Sequence, residues 1–431
     1  MRQNVPMTAP SPAPAPVRQS ALRTAAAGLI GNVLEWFDYA VYGYFSTEIG
    51  QQFFPASMDA YHKQLLTYAI FWLGFAARPV GGLVLGTIGD RIGRRTLLTV
   101  SIALMGGATL VIGLLPTYGT IGIAAPVLLI LMRLVQGFSL GGEFTGSMVY
   151  TTELASPRWR GIIASSTAAG TTLGFILGSL TAWLVNRTLG PAASADWGWR
   201  IPFIGSVVFC VLGWLLRRGI VEPEQTRTAV AIRAPIVRSL IADWRPIVQT
   251  FGIVAMTNAA YYLTFTFAVE RRKAEDPTFQ LVNTLSLGIV LFGKVLGGWL
   301  SDRLGRRRLM IALTIVLMGV LYTGQRMMLF GSPSTFMLGQ VMLGVPLAMA
   351  LGLQGAMVVE IFPVRTRVTS MSFAYSITLA LAGGLAPIVA TWLIDAVGSP
   401  TAPAFFVMMY GVIGLPIMLG MGETNHRALD D

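Results

Sequence analysis

The chain has 431 residues, of which 54% are hydrophobic and only 12% are charged. Soluble globular domains carry about 25% charged residues, so this composition, with a mean hydropathy of +0.65, excludes that class. The net charge of +11 comes mainly from arginines in short loops. It does not form a basic stripe interleaved with aromatic residues, which excludes a nucleic-acid-binding protein. The sequence predicts a polytopic helical protein embedded in a lipid bilayer.

Twelve apolar segments long enough to cross a bilayer follow one another along the chain. The first 20 residues, rich in proline and alanine, are predicted to form a disordered tail and not a signal peptide. The predicted spans are 22–45, 63–88, 97–115, 121–152, 160–186, 199–218, 246–268, 280–301, 309–330, 336–360, 368–396 and 402–421. The polar stretch 219–245 is predicted to link two six-helix halves, 21–218 and 246–421, and residues 422–431 to form a second tail.

Arginine-rich loops recur between these segments, at 90–95, 158–160, 303–308 and 365–367. Positive charge in short loops marks the cytoplasmic side of a membrane. With an even number of spans, the linker and both tails are therefore predicted to be cytoplasmic.

The two halves repeat each other. GDRIGRR at 89–95 returns as SDRLGRR at 301–307, and ELASPRWR at 153–160 is echoed more weakly by EIFPVRTR at 360–367. Two parallel repeats of six helices, with a substrate site between them near the middle of the membrane, are an arrangement of secondary transporters.

The segment GTIGDRIGRRTLL at 86–98 resembles the signature loop of the major facilitator superfamily. Four further motifs, in order, resemble the metabolite:proton symporter family within it. They are GNVLEWFDYAVYGY, ARPVGG, RLVQGFSLGGEFTG and DWGWRIPF. The resemblance implies an all-α membrane protein with the major facilitator fold, located in a bacterial inner membrane. It also implies cotransport of protons with a small, usually carboxylate-bearing metabolite.

The repeated loop is predicted to help close the cytoplasmic side. Asp90 can pair with arginines across the seam between the halves, and Glu153 is predicted to join an interfacial salt bridge. A role in topology alone is the alternative for the arginines. The gating residues are Gly86, Gly89, Asp90, Arg91, Gly93 and Arg94 in the first copy, and Asp302, Arg303, Gly305 and Arg306 in the second.

Four charged residues inside predicted helices are candidates for proton coupling. Glu35 and Asp38 lie one turn apart on the first helix, where two nearby carboxylates are expected to share a proton. Pairing with an arginine on a neighbouring helix is the structural alternative. Arg133, within the motif of the fourth helix, is assigned either to coupling or to packing, and Glu143 to a proton path or the cavity wall. Arg78 can clamp the carboxylate of a substrate or that of Asp38.

Five residues are predicted to bind substrate. Arg78 in the first half and Lys294 in the second are expected to clamp a carboxylate from opposite sides, with extension of Lys294 to the membrane surface as the alternative. Asn258, Tyr261 and Tyr262 form a polar patch on the seventh helix that suits either substrate orientation or bonds between helices.

The segment FAVERRKAEDPTF at 267–279 carries charge at the predicted outer face. A solvated surface is the favoured interpretation, and a funnel that attracts anions is the alternative.

A chain with one cysteine and two histidines offers no metal-ligand set. Phosphate-binding loops are also absent from the sequence, so we expect no metal, cofactor or enzymatic activity. The leading hypothesis is a monomeric, proton-coupled symporter that imports a di- or tricarboxylate or another organic acid. A proline- or betaine-type zwitterion is the alternative substrate. A proton-driven exporter and a non-transporting sensor are the alternatives of another class.

Overall fold

The computed structural model describes the backbone of residues 21–92, 94–141, 143–218, 240–364, 366–425 and 429. Side chains within these ranges are described except at 21–31, 86–92, 94–99, 143, 150, 154, 209, 213, 214 and 216–218.

The described chain is helical, with no strand among these residues, and its long helices form twelve segments. They are α1 (Ala21–Tyr44), α2 (Ala60–Ala76 and Arg78–Ile92), α3 (Arg94–Leu114), α4 (Ala124–Ser139 and Glu143–Leu154), α5 (Arg160–Ala193), α6 (Arg200–Arg218), α7 (Trp244–Tyr262 and Ala268–Arg272), α8 (Thr278–Leu304), α9 (Arg306–Phe330), α10 (Pro333–Ile361), α11 (Arg367–Thr378 and Ala386–Val397) and α12 (Ala402–Leu419). A short helix, Ser46–Phe53, follows α1.

Nine of the described helical stretches are long and apolar enough to cross a membrane, and α3 and α6 contribute the shorter apolar helices Val100–Leu114 and Arg200–Leu212. Together with α1, they account for twelve segments. The predicted fold class, an all-α membrane protein with about twelve helices, is confirmed.

Two helices of the second half are interrupted by a π-helical turn, α7 at Leu263–Phe267 and α11 at Leu379–Gly384. Such a turn shifts the backbone hydrogen bonds and often marks a functional position. Carbonyls in both turns accept hydrogen bonds from the first half: Tyr44 Oη donates to Phe265 O at 2.8 Å, and Trp72 Nε1 donates to Ala380 O at 3.1 Å. The interruptions therefore tie the two halves together.

Helices α5 and α8 cross at the seam between the halves through a pair of glycines. A Cβ atom built on Gly161 would lie 2.5 Å from the carbonyl oxygen of Gly298, and one built on Gly298 would lie 2.6 Å from that of Gly161. Only glycine permits backbones to approach this closely. The contact lies at the end of the molecule predicted to be cytoplasmic.

Candidate functional site

A cavity of about 30 Å³ lies between the two halves, near the middle of the bundle. This volume has room for about two water molecules, so the halves must move apart before a metabolite can enter. Its wall includes side chains from α1, α4, α5, α7, α8, α10 and α11: Trp36, Phe144, Met148, Thr171, Phe175, Asn258, Tyr261, Tyr262, Lys294, Gln354 and Tyr375.

Lys294 on α8 is part of this wall and is 2% exposed. Its Nζ donates to the carbonyl oxygen of Ala168 at 2.9 Å and to Thr171 Oγ1 at 2.8 Å, both on α5 in the other half. It also lies 5.4 Å from the centre of the Tyr261 ring. Among the described side chains, none of the ion pairs reaches Lys294. Lys294 therefore faces the cavity with its amino group buried and does not extend to the membrane surface.

The polar patch predicted on α7 also belongs to the wall. Asn258 donates to the carbonyl oxygen of Val254 on its own helix at 2.9 Å. The hydroxyl of Tyr262 is buried and has no hydrogen-bond partner in the described part of the chain. Beside it, Gln354 donates to the hydroxyl of Tyr375 at 3.0 Å. The second half thus supplies both a lysine amino group and neutral hydrogen-bonding groups.

Arg78 is not among the residues that line the cavity. Its Nη2 lies 2.8 Å from Glu35 Oε1, and both side chains are buried. The guanidinium lies 4.6 Å from the centre of the Tyr39 ring, 5.0 Å from Phe75 and 5.4 Å from Trp36. In this conformation Arg78 pairs with Glu35, because α1 turns Glu35 toward it. The clamp of Arg78 on a substrate carboxylate or on Asp38 stays a prediction.

Asp38 has a separate set of partners. Arg133 lies 3.2 Å from its Oδ2, while Thr109 and Gln136 donate to its Oδ1 at 2.9 and 3.0 Å. Each acid therefore has its own arginine in this conformation, and the sharing of a proton between Glu35 and Asp38 stays a prediction. The two acids are one turn apart on α1. Arg78 on α2 approaches Glu35, and Arg133 on α4 approaches Asp38. The structural alternative, an arginine on a neighbouring helix, is what the bundle contains.

Asp302 closes the predicted cytoplasmic end by capping a helix of the other half. Its two carboxylate oxygens accept the backbone N–H groups of Gly161 and Ile162 at 2.8 and 3.1 Å. These groups begin α5, where helical N–H groups lack partners within the helix and attract negative charge. Arg306 of the same half lies 3.1 Å from Asp302.

Two reciprocal ion pairs reinforce this end. Arg160 of the first half lies 3.3 Å from Glu360 of the second, and Arg367 of the second lies 2.7 Å from Glu153 of the first. The four residues occupy matching positions in the weaker sequence repeat. Arg306 also reaches Glu360, at 2.7 Å. The predicted interfacial salt bridge of Glu153 is confirmed, and we call this set of ion pairs with Asp302 the inner network.

The other gating residues predicted in the second copy of the loop, Arg303 and Gly305, are not part of the inner network. Arg303 stacks 4.0 Å from the Trp299 ring centre, and Gly305 adopts a φ of +93° at the turn into α9. Side-chain contacts predicted for the first copy of the loop and for Glu143 lie outside the described residues or side chains. The residues concerned are Gly86, Gly89, Asp90, Arg91, Gly93, Arg94 and Glu143.

The charged segment 267–279, which includes the end of α7, closes the opposite end of the molecule. Lys273 of the second half lies 2.7 Å from Glu48 of the first half and 2.9 Å from Glu270 of its own half. Thr47 N donates to Glu270 at 2.9 Å. These three charged side chains, which we call the outer cluster, are at most 10% exposed. Neither a solvated surface nor an anion funnel describes them, because the two halves bury them against each other.

Comparisons with known proteins agree with this architecture. Residues 24–224 match the family model described as sugar (and other) transporter, and residues 250–428 match that of the Major Facilitator Superfamily. A citrate-proton symporter of Klebsiella pneumoniae is 35% identical over 398 residues, covering 89% of this chain and 88% of that protein. The chain belongs to the major facilitator superfamily. Within it, the chain is a member of the metabolite:proton symporter family.

Another relative of this major facilitator protein is a proline/betaine transporter of Escherichia coli (strain K12). It is 32% identical over 421 residues, which cover 94% of this chain and 84% of that one. A crystal structure of a D-xylose-proton symporter aligns with a TM-score of 0.73 at 19% identity, covering 95% and 99% of the two chains. At this identity, the likeness concerns the fold alone. The chain is a multi-pass, proton-coupled transporter and not an enzyme.

Several site residues of this transporter were missed by sequence reasoning. Glu360 and Arg160 lie in the weaker repeat, so their matching positions could have indicated a reciprocal pair. Gln354 stands alone in an apolar stretch of α10, a signal of the kind that singled out Lys294. Nothing in the local sequence marks Glu48 as a site residue, because its ion-pair partner, Lys273, lies 225 residues further along the chain.

Proposed function

We propose that this symporter imports a small metabolite with a carboxylate group that binds next to Lys294 in the central cavity. The observation that carries this proposal is a buried lysine amino group in the cavity wall with no ion pair to a described carboxylate. A buried charge is costly unless it is paired, and a substrate carboxylate supplies the missing charge. Because the described wall has one cation, direct charge pairing favours a single carboxylate over a tricarboxylate clamp.

Proton coupling is assigned to the ion pairs behind the cavity. Protonation of Asp38 would cancel its attraction for Arg133, and protonation of Glu35 would do the same for Arg78. Trp36 connects the Arg78–Glu35 pair to the cavity, since its ring lies 5.4 Å from the Arg78 guanidinium and also lines the cavity. Glu143, three turns along α4 from Arg133, remains a candidate for the proton path.

Alternating access would then use the two closed ends in turn. The halves 21–218 and 246–421, joined by the cytoplasmic linker 219–245, are proposed to rock about the cavity. One movement breaks the inner network and the other breaks the outer cluster. The arginine-rich loops support a cytoplasmic position for the inner network and for both tails, in a bacterial inner membrane.

A zwitterion of the betaine type is the second candidate substrate. Six aromatic residues line the cavity, from Trp36 on α1 to Tyr375 on α11. Aromatic faces attract quaternary ammonium groups, and Lys294 could hold the carboxylate of the same molecule. The single cation favours this candidate over a tricarboxylate.

Proteoliposomes with a pH indicator inside test the proposal. Each of 2-oxoglutarate, citrate, malate, shikimate, proline and glycine betaine is added alone, and acidification of the interior identifies a substrate imported with protons. Lys294→Gln is expected to raise the half-saturating concentration of that substrate about tenfold or more, since a hydrogen bond to a charged group contributes about 1.5–3 kcal/mol.

Lys63→Gln is the matched control, because Lys63 lies at the start of α2 and is not part of the cavity wall. Unchanged half-saturation in Lys294→Gln would refute the assignment of Lys294. Folded wild-type protein that acidifies with none of the six compounds would contradict the proposed import of these substrate classes.

A further inference from the structure

The outer cluster contains more acid than base. Lys273 has three N–H donors, and its three hydrogen bonds go to Tyr44 O at 2.6 Å and to the two oxygens of Glu48 at 2.9 and 2.7 Å. Glu270 Oε1 accepts the backbone N–H of Thr47. Glu270 Oε2 lies 2.9 Å from the same ammonium, which the Glu270 and Glu48 carboxylates therefore share.

Burial makes this imbalance costly. The side chain of Glu270 is 2% exposed, that of Lys273 is 7% exposed and that of Glu48 is 10% exposed. Burial works against the charge on Lys273, but Glu270 and Glu48 outweigh it and raise the pKa of Lys273 above its ordinary value. Lys273 therefore keeps its proton, and two carboxylates with one ammonium leave the closed cluster one negative charge in excess.

Neighbouring cations on α7 do not remove the excess charge. The side chain of Arg271 is exposed, and its guanidinium lies 5.8 Å from the Phe267 ring. Arg272 points away, toward Glu275 and the carbonyl oxygens of Met328 and Gly331.

The titratable groups on the other elements packed against the outer cluster do not cancel its excess negative charge either. On α2, His62 pairs with Asp59 at 2.6 Å, while Lys63 makes no ion pair among the described residues. Tyr68 and Tyr44 adjoin the cluster, and phenols stay neutral below about pH 10. Asp196, near the short helix, and Arg326 on α9 are exposed.

We propose that the outer cluster binds one proton, at Glu270, when the two halves close at this end. The closed cluster is then neutral, with one carboxyl group protonated and the other paired with the ammonium of Lys273. The proton comes from the outer solution and returns to it on reopening. The cluster therefore sets the pH range in which the outer end closes, whereas net coupling is left to the pairs around Asp38.

The direction of the pH dependence follows from linkage. With the outer end open, both glutamates face water, where a glutamate loses its proton near pH 4.3. The closed end binds one proton more than the open end, so lower pH favours closure. For one proton, the closing equilibrium changes by up to tenfold per pH unit.

A distance measurement tests this without any substrate, so it is independent of the proposed substrate class. Spin labels are placed on Ser57→Cys and Ser334→Cys, two exposed serines of opposite halves at this end, after Cys210→Ala removes the chain's one cysteine. The fraction of protein with the outer end closed is measured in nanodiscs from pH 5 to pH 8. In protein with the unmodified outer cluster, we expect the fraction with a closed outer end to fall as the pH rises.

Glu270→Gln is expected to flatten this dependence, because the neutral amide replaces the protonated acid. Glu48→Gln should also flatten the pH dependence, since the cluster then holds one acid and one ammonium. This second variant provides the test if Glu270→Gln does not fold. Glu275→Gln, an exposed acid nearby, is the matched control and should keep the full dependence. A pH dependence that survives in folded Glu270→Gln or Glu48→Gln would overturn the proposal, as would an unmodified cluster whose distances do not respond to pH.

Discussion

Replacing Asp302 by asparagine should open the end closed by the inner network. The carboxylate accepts two backbone N–H groups of α5, at 2.8 and 3.1 Å, and faces Arg306 at 3.1 Å. A carboxamide keeps one acceptor oxygen, loses the charge and turns its own N–H donors toward the α5 terminus. Hydrogen bonds to charged groups contribute about 1.5–3 kcal/mol each. Loss of one across the seam should shift the opening equilibrium about 10- to 150-fold.

The opening can be measured with spin labels on Ser156→Cys and Val364→Cys, which are exposed at this end on opposite halves. The Asp302→Asn variant should populate a longer distance than the parent protein does. Asp395→Asn is the matched control, because Asp395 is exposed near the end of α11 and forms no ion pair among the described residues. If the two variants give the same distance distribution, the capping of α5 by Asp302 does not hold this end closed.

Three further predictions concern the bundle. Asp38→Asn should abolish proton-driven accumulation while keeping substrate exchange across the membrane, measured as counterflow; accumulation at the parent level would remove Asp38 from coupling. Gly297→Ala should lower the thermal unfolding temperature, because its Cβ would collide with the carbonyl oxygen of Met349, whereas Gly288→Ala meets nothing within 4 Å and should not. Equal melting temperatures would contradict that packing. Arg160→Gln should lengthen the inner-end distance, since it leaves Glu360 with less compensation; an unchanged distance would make this pair dispensable.

Much of the architecture could be predicted because it depends on local pattern. Apolar runs of bilayer length specify the helices, and the predicted spans agree with the twelve segments to within a few residues at most ends. The repeated GDRIGRR and SDRLGRR motifs indicate two similar halves, since a loop motif is written in consecutive residues. The cost of a charge inside a membrane also singled out Glu35, Asp38, Arg133 and Lys294, all of which are buried.

The partners of those charges were decided by the tertiary structure. Glu35 and Asp38 are neighbours in sequence, yet the closest ion-pair partner of Asp38 is 95 residues away on α4. Glu48 and Lys273 are 225 residues apart, and only the contact between the halves turns two separate surface charges into one buried cluster. Residue spacing along a helix determines which side chains share a face. Which helix packs against that face, and so which charge neutralises which, depends on how the bundle assembles.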